Sequence, residues 1–86
     1  MEDNIFTLYI KQKDFDFVEK EIGIIGKVDF KIENSGNSNY KIIISEEELE
    51  AMADIIAHSC DFIESDRKAT RLDNIALMLE NYLDQL

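Results

Sequence analysis

At Ser45 the apolar period of this chain changes. Before it, Tyr40, Ile42 and Ile44 alternate with Lys41 and Ile43, the two-residue period of a strand. After it, Leu49, Met52, Ala53, Ile56, Cys60 and Ile63 recur at helical spacing. The boundary itself is marked. Ser45 stands three residues before Glu48, the spacing of a capping box, and Ile44 and Leu49 flank it as a hydrophobic staple. A chain whose period switches this way must pack strands on helices, which excludes all-α and all-β folds.

The remaining elements follow from the same two periods. Phe6, Leu8 and Ile10 alternate with Ile5, Thr7 and Tyr9, which predicts a strand over 4–10 partly covered on both faces. Asp14 stands as a helix N-cap before Phe15, Val18, Ile22 and Ile25, predicting a helix near 14–23 that Gly26 stops. Val28, Phe30 and Ile32 form a second alternating run. The turn formers Asn34 to Asn39 join it to the run before Ser45 as a β-hairpin. The helix beginning at 46 extends to about Ser65. A third helix runs from about Ala69 to the end of the chain, with Leu72, Ile75, Ala76, Leu79, Leu83 and Leu86 as its stripe. The turn between them is expected at Asp66-Arg67-Lys68. The fold class is therefore α+β: a three-stranded antiparallel or mixed sheet with helices on one face, in the order β-α-β-β-α-α. The 86 residues support one domain, 1–86.

Charge is the second constraint. The chain carries nineteen acids against nine bases, a formal charge of −10. Residues 45–66 hold Glu46, Glu47, Glu48, Glu50, Asp54, Asp61, Glu64 and Asp66 with no Lys or Arg, so they supply −8 of it. On a continuous helix Glu46, Glu47, Glu50, Asp54, Asp61 and Glu64 fall within an arc of about 100°. Like charges at i, i+4 oppose helix formation, so an unmixed acidic arc is either a solvated face or an anionic binding face. Beside it Ala51, Ile55 and Phe62, with His58, form an apolar shelf suited to an interface or to packing of the third helix.

Composition narrows the partners. A chain at −10 repels phosphate backbones and anionic lipid, so direct nucleic-acid and membrane binding are not expected. A basic protein surface is the expected partner. No apolar run approaches the roughly 18 residues of a membrane span. The acidic start Met1-Glu2-Asp3-Asn4 is the reverse of a secretory leader, and the single Cys60 cannot form an internal disulfide. Both point to the cytoplasm.

Several chemical motifs resolve into ordinary structure. Gly23-Ile24-Ile25-Gly26 has the GXXG spacing of the KH phosphate-clamping loop, but its central residues are isoleucines and a strand follows, so it reads as a helix cap and turn. His58 is the only histidine and lacks converging ligands, so no metal is expected. Cys60 lies two residues from His58 and points elsewhere on a helix; it is a small core residue rather than a nucleophile. No catalytic residue set and no cofactor fingerprint is present.

The segment Asn34-Ser35-Gly36-Asn37, Tyr40, then Ile44-Ser45-Glu46 leading into an acidic helix resembles a hairpin-to-helix segment of small acidic anti-CRISPR proteins. Those are phage-encoded inhibitors that mimic DNA in the basic cleft of a nuclease. The resemblance covers about a quarter of the chain. It departs from the pattern at the hairpin turn, which lacks the acidic residue such mimics use to engage arginines. It implies an acidic antagonist of a basic partner, a description that bacterial immunity proteins also fit. The alternative is a homo-oligomeric or accessory subunit that binds through the sheet edge or the Ile55/Phe62 shelf.

Overall fold

In the computed structural model, which describes residues 4–85, the strands are β1 (Ile5–Lys11), β2 (Lys31–Gly36) and β3 (Asn39–Ser45). The helices are α1 (Gln12–Glu21), α2 (Glu46–Ser59) and α3 (Asp66–Asp84), with a 3-10 turn at Cys60–Phe62. The order is β-α-β-β-α-α, with a fully antiparallel sheet of strand order β1-β3-β2. In the register Leu8 lies opposite Ile42 and Ile32 opposite Ile42 on its other side. Leu8, Ile10, Ile42 and Ile44 all turn to the helices and are buried. They meet Phe15 and Val18 of α1, Leu49, Met52, Ala53 and Ile56 of α2, and Leu72, Ile75, Ala76 and Leu79 of α3 in one core.

The helices cover one face only. Ile5 and Tyr9 on the other face are 63% and 52% exposed, which corrects the expectation of a strand covered on both sides. With every helix packed against the same face, no described element is left to cover the other.

α1 starts two residues before the expected position. The β1–β3 ladder runs straight into it, with Gln12 N–H donating to Ser38 C=O at 2.9 Å. Asp14 is therefore inside the first turn and not the cap. It instead receives the Arg71 guanidinium of α3 at 3.1 Å. Gly23, not Gly26, ends the helix: at φ +76 it takes the left-handed conformation in which a Cβ is strained. Glu19 Oε1 accepts from both Ile24 and Ile25 N–H at 2.7 Å, and Ile24 is driven into the core at 1% exposure. The two N–H groups that a phosphate-clamping loop would offer are thus already occupied.

The second alternating run is only half a strand. Val28 is buried but makes an isolated bridge to Ile25, and the ladder with β3 begins at Lys31. All of β2 is exposed, including Ile32. The hairpin is also tighter than six turn formers suggest. β2 continues to Gly36 and β3 begins at Asn39, leaving Asn37 and Ser38 at φ 53 and 62 as a two-residue turn.

Helix α2 starts at Glu46 as expected, with Ser45 Oγ accepting from Glu48 N–H at 3.3 Å. Glu48 does not close the box; its carboxylate accepts from Asp29 N–H at 3.2 Å and ties the loop before β2 to α2. Ser45→Ala should lower unfolding free energy by about 0.5–2 kcal/mol in urea titration. A loss within error would mean the helix holds its first turn without that hydroxyl.

The helix does not reach Ser65. Ser59 Oγ donates back to Ile55 C=O at 2.8 Å and Cys60 Sγ to Ile56 C=O at 3.5 Å. Such back-bonding competes with the helical ladder, and the chain tightens into the 3-10 turn. Ser65 then caps α3, accepting from Lys68 N–H at 3.4 Å. The turn between helices is thus at 60–65, and Asp66-Arg67-Lys68 is the first turn of α3. Leu86, counted in its expected stripe, lies outside the described residues.

Candidate functional site

Because α2 and α3 are antiparallel neighbours joined by a short turn, the start of α2 lies beside the end of α3. Between them runs a groove of about 340 Å³ lined by Glu46, Glu50, Ala53 and Asp54 of α2 and by Glu80, Leu83 and Asp84 of α3. Five of these seven residues are carboxylates, and no Lys or Arg lines it. Glu46 accepts from the Asn4 side-chain amide at 3.3 Å. None of the five forms a salt bridge among the described residues.

Two of the three bases of α3, Lys68 and Arg71, are taken up at its other end. Lys68 pairs with Glu21 at 2.9 Å, and Arg71 pairs with Asp14, donates to Lys13 C=O at 3.2 Å and lies 4.2 Å over the Phe17 ring. The first half of α3 therefore holds α1 by charge, and its last turns add acids to acids. This layout runs against the helix macrodipole, which favours cations near a C-terminus. The last turn of α3 carries Asp84 and no base. The start of α2, rich in acids, is favoured by the same effect.

Of the expected acidic face, Glu46, Glu50 and Asp54 come together in the groove. Glu47 is exposed on α2 but does not line it. Asp61 and Glu64 leave the arc altogether, because the helix that would have carried them there ends at Ser59. The apolar shelf breaks for the same reason. Ala51 and Ile55 are half-buried against the core, whereas Phe62 sits in the 3-10 turn, 86% exposed. Glu80 and Asp84 were missed by sequence reasoning. Their i, i+4 spacing beside Leu83 was the available signal, and only the antiparallel hairpin gives it a meaning.

A second cavity, about 640 Å³, lies elsewhere, at the end of the sheet where β2 begins, against Ile5, Phe30, Lys31, Ile43 and Glu48. Two of its polar side chains are already engaged: Glu48 accepts from Asp29 N–H, and Ser45 Oγ accepts from Glu48 N–H. No group of three or more His, Cys, Asp or Glu among the described residues could hold a metal ion. No helix of the described residues is long and apolar enough to cross a membrane.

Cys60 is half-buried, and its single S–H lies within hydrogen-bond reach of both Ile56 and Ala69 C=O, at 3.5 and 3.4 Å. Burial pushes its pKa up, and Asp73 and Asp61 push it further. The thiol therefore stays protonated at neutral pH, which suppresses its nucleophilicity. Cys60 should react with a disulfide reagent at neutral pH more slowly in the folded protein than in urea. Equal rates would show an open, thiolate-forming site. Comparisons with protein-family models, with curated proteins and with solved structures find no match to this chain.

Proposed function

We propose that this chain is a non-catalytic acidic binding module that inhibits or neutralises a basic, nucleic-acid-binding protein, in the manner of an immunity protein or a DNA-mimicking anti-CRISPR inhibitor of phage origin. The observation that carries the reading is the α2–α3 groove, where Glu46, Glu50, Asp54, Glu80 and Asp84 converge with no base among its lining residues. Carboxylates gathered at one place with no salt-bridge partner among the described residues raise the local concentration of cationic groups and speed their encounter. Arginines entering the groove gain charge-assisted, often bidentate hydrogen bonds. Leu83 in its lining offers apolar contact for the arginine stems. A cytoplasmic setting goes with this reading, supported by the single unpaired Cys60.

The test is affinity capture from bacterial extract on immobilised protein, with Glu50→Lys/Glu80→Lys as the control. The expected catch is a basic nucleic-acid-binding protein that is retained by the wild type, lost on the variant, and displaced by duplex DNA. A catch held equally by both proteins would place the binding surface elsewhere.

A further inference from the structure

The two edges of the sheet are unlike. The outer strand β2 carries Lys31 and Glu33, has a bulge between Asn34 and Gly36, and is exposed along its whole length. Charges and bulges are the devices by which sheet edges avoid pairing. The β1 edge has neither over Ile5 to Ile10, and the chain contains no proline.

The direction of the β1 backbone groups follows from two bonds that bracket its ladder with β3. Glu46 N–H donates to Asn4 C=O at 2.8 Å, and Gln12 N–H donates to Ser38 C=O at 2.9 Å. Hydrogen-bonded and non-hydrogen-bonded pairs alternate along an antiparallel ladder. Phe6, Leu8 and Ile10 therefore turn their backbone groups to β3, and Ile5, Thr7 and Tyr9 turn theirs outward. All three outward residues are exposed, and no described strand pairs with this edge.

We propose that β1 pairs antiparallel with β1 of a second copy, about a two-fold axis at Leu8, to give a continuous six-stranded sheet. The strand is self-complementary in this register. Thr7 and Tyr9 exchange hydrogen bonds with Tyr9 and Thr7 of the second copy. Leu8 meets Leu8 at the close, non-hydrogen-bonded position on the axis. Phe6 meets Ile10 on the helix side, and Ile5 lies along the stem of Lys11 on the open side. The charges choose the same direction. One end of β1 is basic, with Lys11 and Lys13; at the other, Asn4 holds Glu46. Antiparallel pairing sets each basic end against an acidic one, and parallel pairing would set like against like. Lys11 is the only charge within β1, so two copies of a chain at −10 approach there with little local repulsion.

Sedimentation equilibrium from micromolar to millimolar protein tests this, with far-UV circular dichroism on each variant. The wild type should reach twice the 10.0 kDa chain mass. Thr7→Lys/Tyr9→Lys places two lysines opposite two lysines and should stay at 10.0 kDa with an unchanged spectrum. Thr7→Pro removes one outward N–H without touching the ladder to β3 and should behave the same way. Amide exchange at Thr7 and Tyr9, whose N–H groups have no partner among the described residues, should slow as protein concentration rises. A wild type that stays at 10.0 kDa throughout overturns the proposal and leaves the edge to an extended segment of a different protein. A dimer that survives Thr7→Lys/Tyr9→Lys also overturns it, because its interface then lies elsewhere.

Discussion

Phe15→Ala should cost about 3–5 kcal/mol of unfolding free energy. Phe15 is 4% exposed and stands edge-on to two other rings, Phe30 at 6.0 Å and Tyr40 at 5.5 Å between centroids. Phe30 precedes β2 and Tyr40 lies in β3, so this one side chain ties α1 to the sheet and to the loop entering it. Such edge-to-face pairs add about 0.5–1.5 kcal/mol each beyond the area they bury. A domain of this size has a total stability on the order of 4–13 kcal/mol, from about 0.05–0.15 kcal/mol per residue. The substitution should therefore remove a large fraction of it. Urea titration followed by circular dichroism reads the shift as a lower midpoint at unchanged slope. A loss below about 1 kcal/mol would mean that the neighbours collapse into the space or that α1 is not held through this ring.

Reversing two groove charges should have the opposite balance: little change in stability and a large change in binding. Glu50 and Glu80 are both exposed, on opposite walls of the groove. A lysine at 50 faces Glu46 and Asp54 at i, i+4, and a lysine at 80 faces Asp84 at the same spacing. Each new pair contributes about 0.2–0.5 kcal/mol to its helix. A cation near the end of α3 also suits the helix dipole. Glu50→Lys/Glu80→Lys should thus match or slightly exceed the wild type in thermal stability. The association rate with a basic partner should fall by one to three orders of magnitude, and its dependence on salt should flatten. Stopped-flow association at several ionic strengths, set beside a thermal melt, measures both sides. A variant that is more stable and unable to bind identifies the groove as held for function at some cost in stability. One that is more stable and binds as before rejects the groove and moves attention to the β1 edge.

Residues 46–65 show where local reading ends. Ser45, Glu48, Ile44 and Leu49 mark the start of α2 because a cap and a staple act within one turn of chain. The periods of β1, β3, α2 and α3 were legible for a similar reason: each stripe is a record of which side of its own element faces the core. The end of α2 was not legible. Cys60 has the spacing of a further helical core residue, yet its thiol sits between the carbonyls of Ile56 within α2 and Ala69 across the turn in α3. A contact nine residues away leaves no periodic trace, so Asp61, Glu64 and Phe62 were assigned to a helix face that they never join.

What the sequence determined by itself was therefore the set of elements, their order and their buried sides, because apolar period and capping chemistry act over a few residues. It also determined that the acids gather after Ser45 without a base among them. What only the tertiary structure decided was which charges meet. Arg71 and Lys68 of α3 go to Asp14 and Glu21 of α1, and the acids at its far end line one groove with Glu46, Glu50 and Asp54 of α2. Coulomb forces act on distance in space, and the antiparallel packing of α2 on α3 sets that distance for residues some thirty positions apart in the chain.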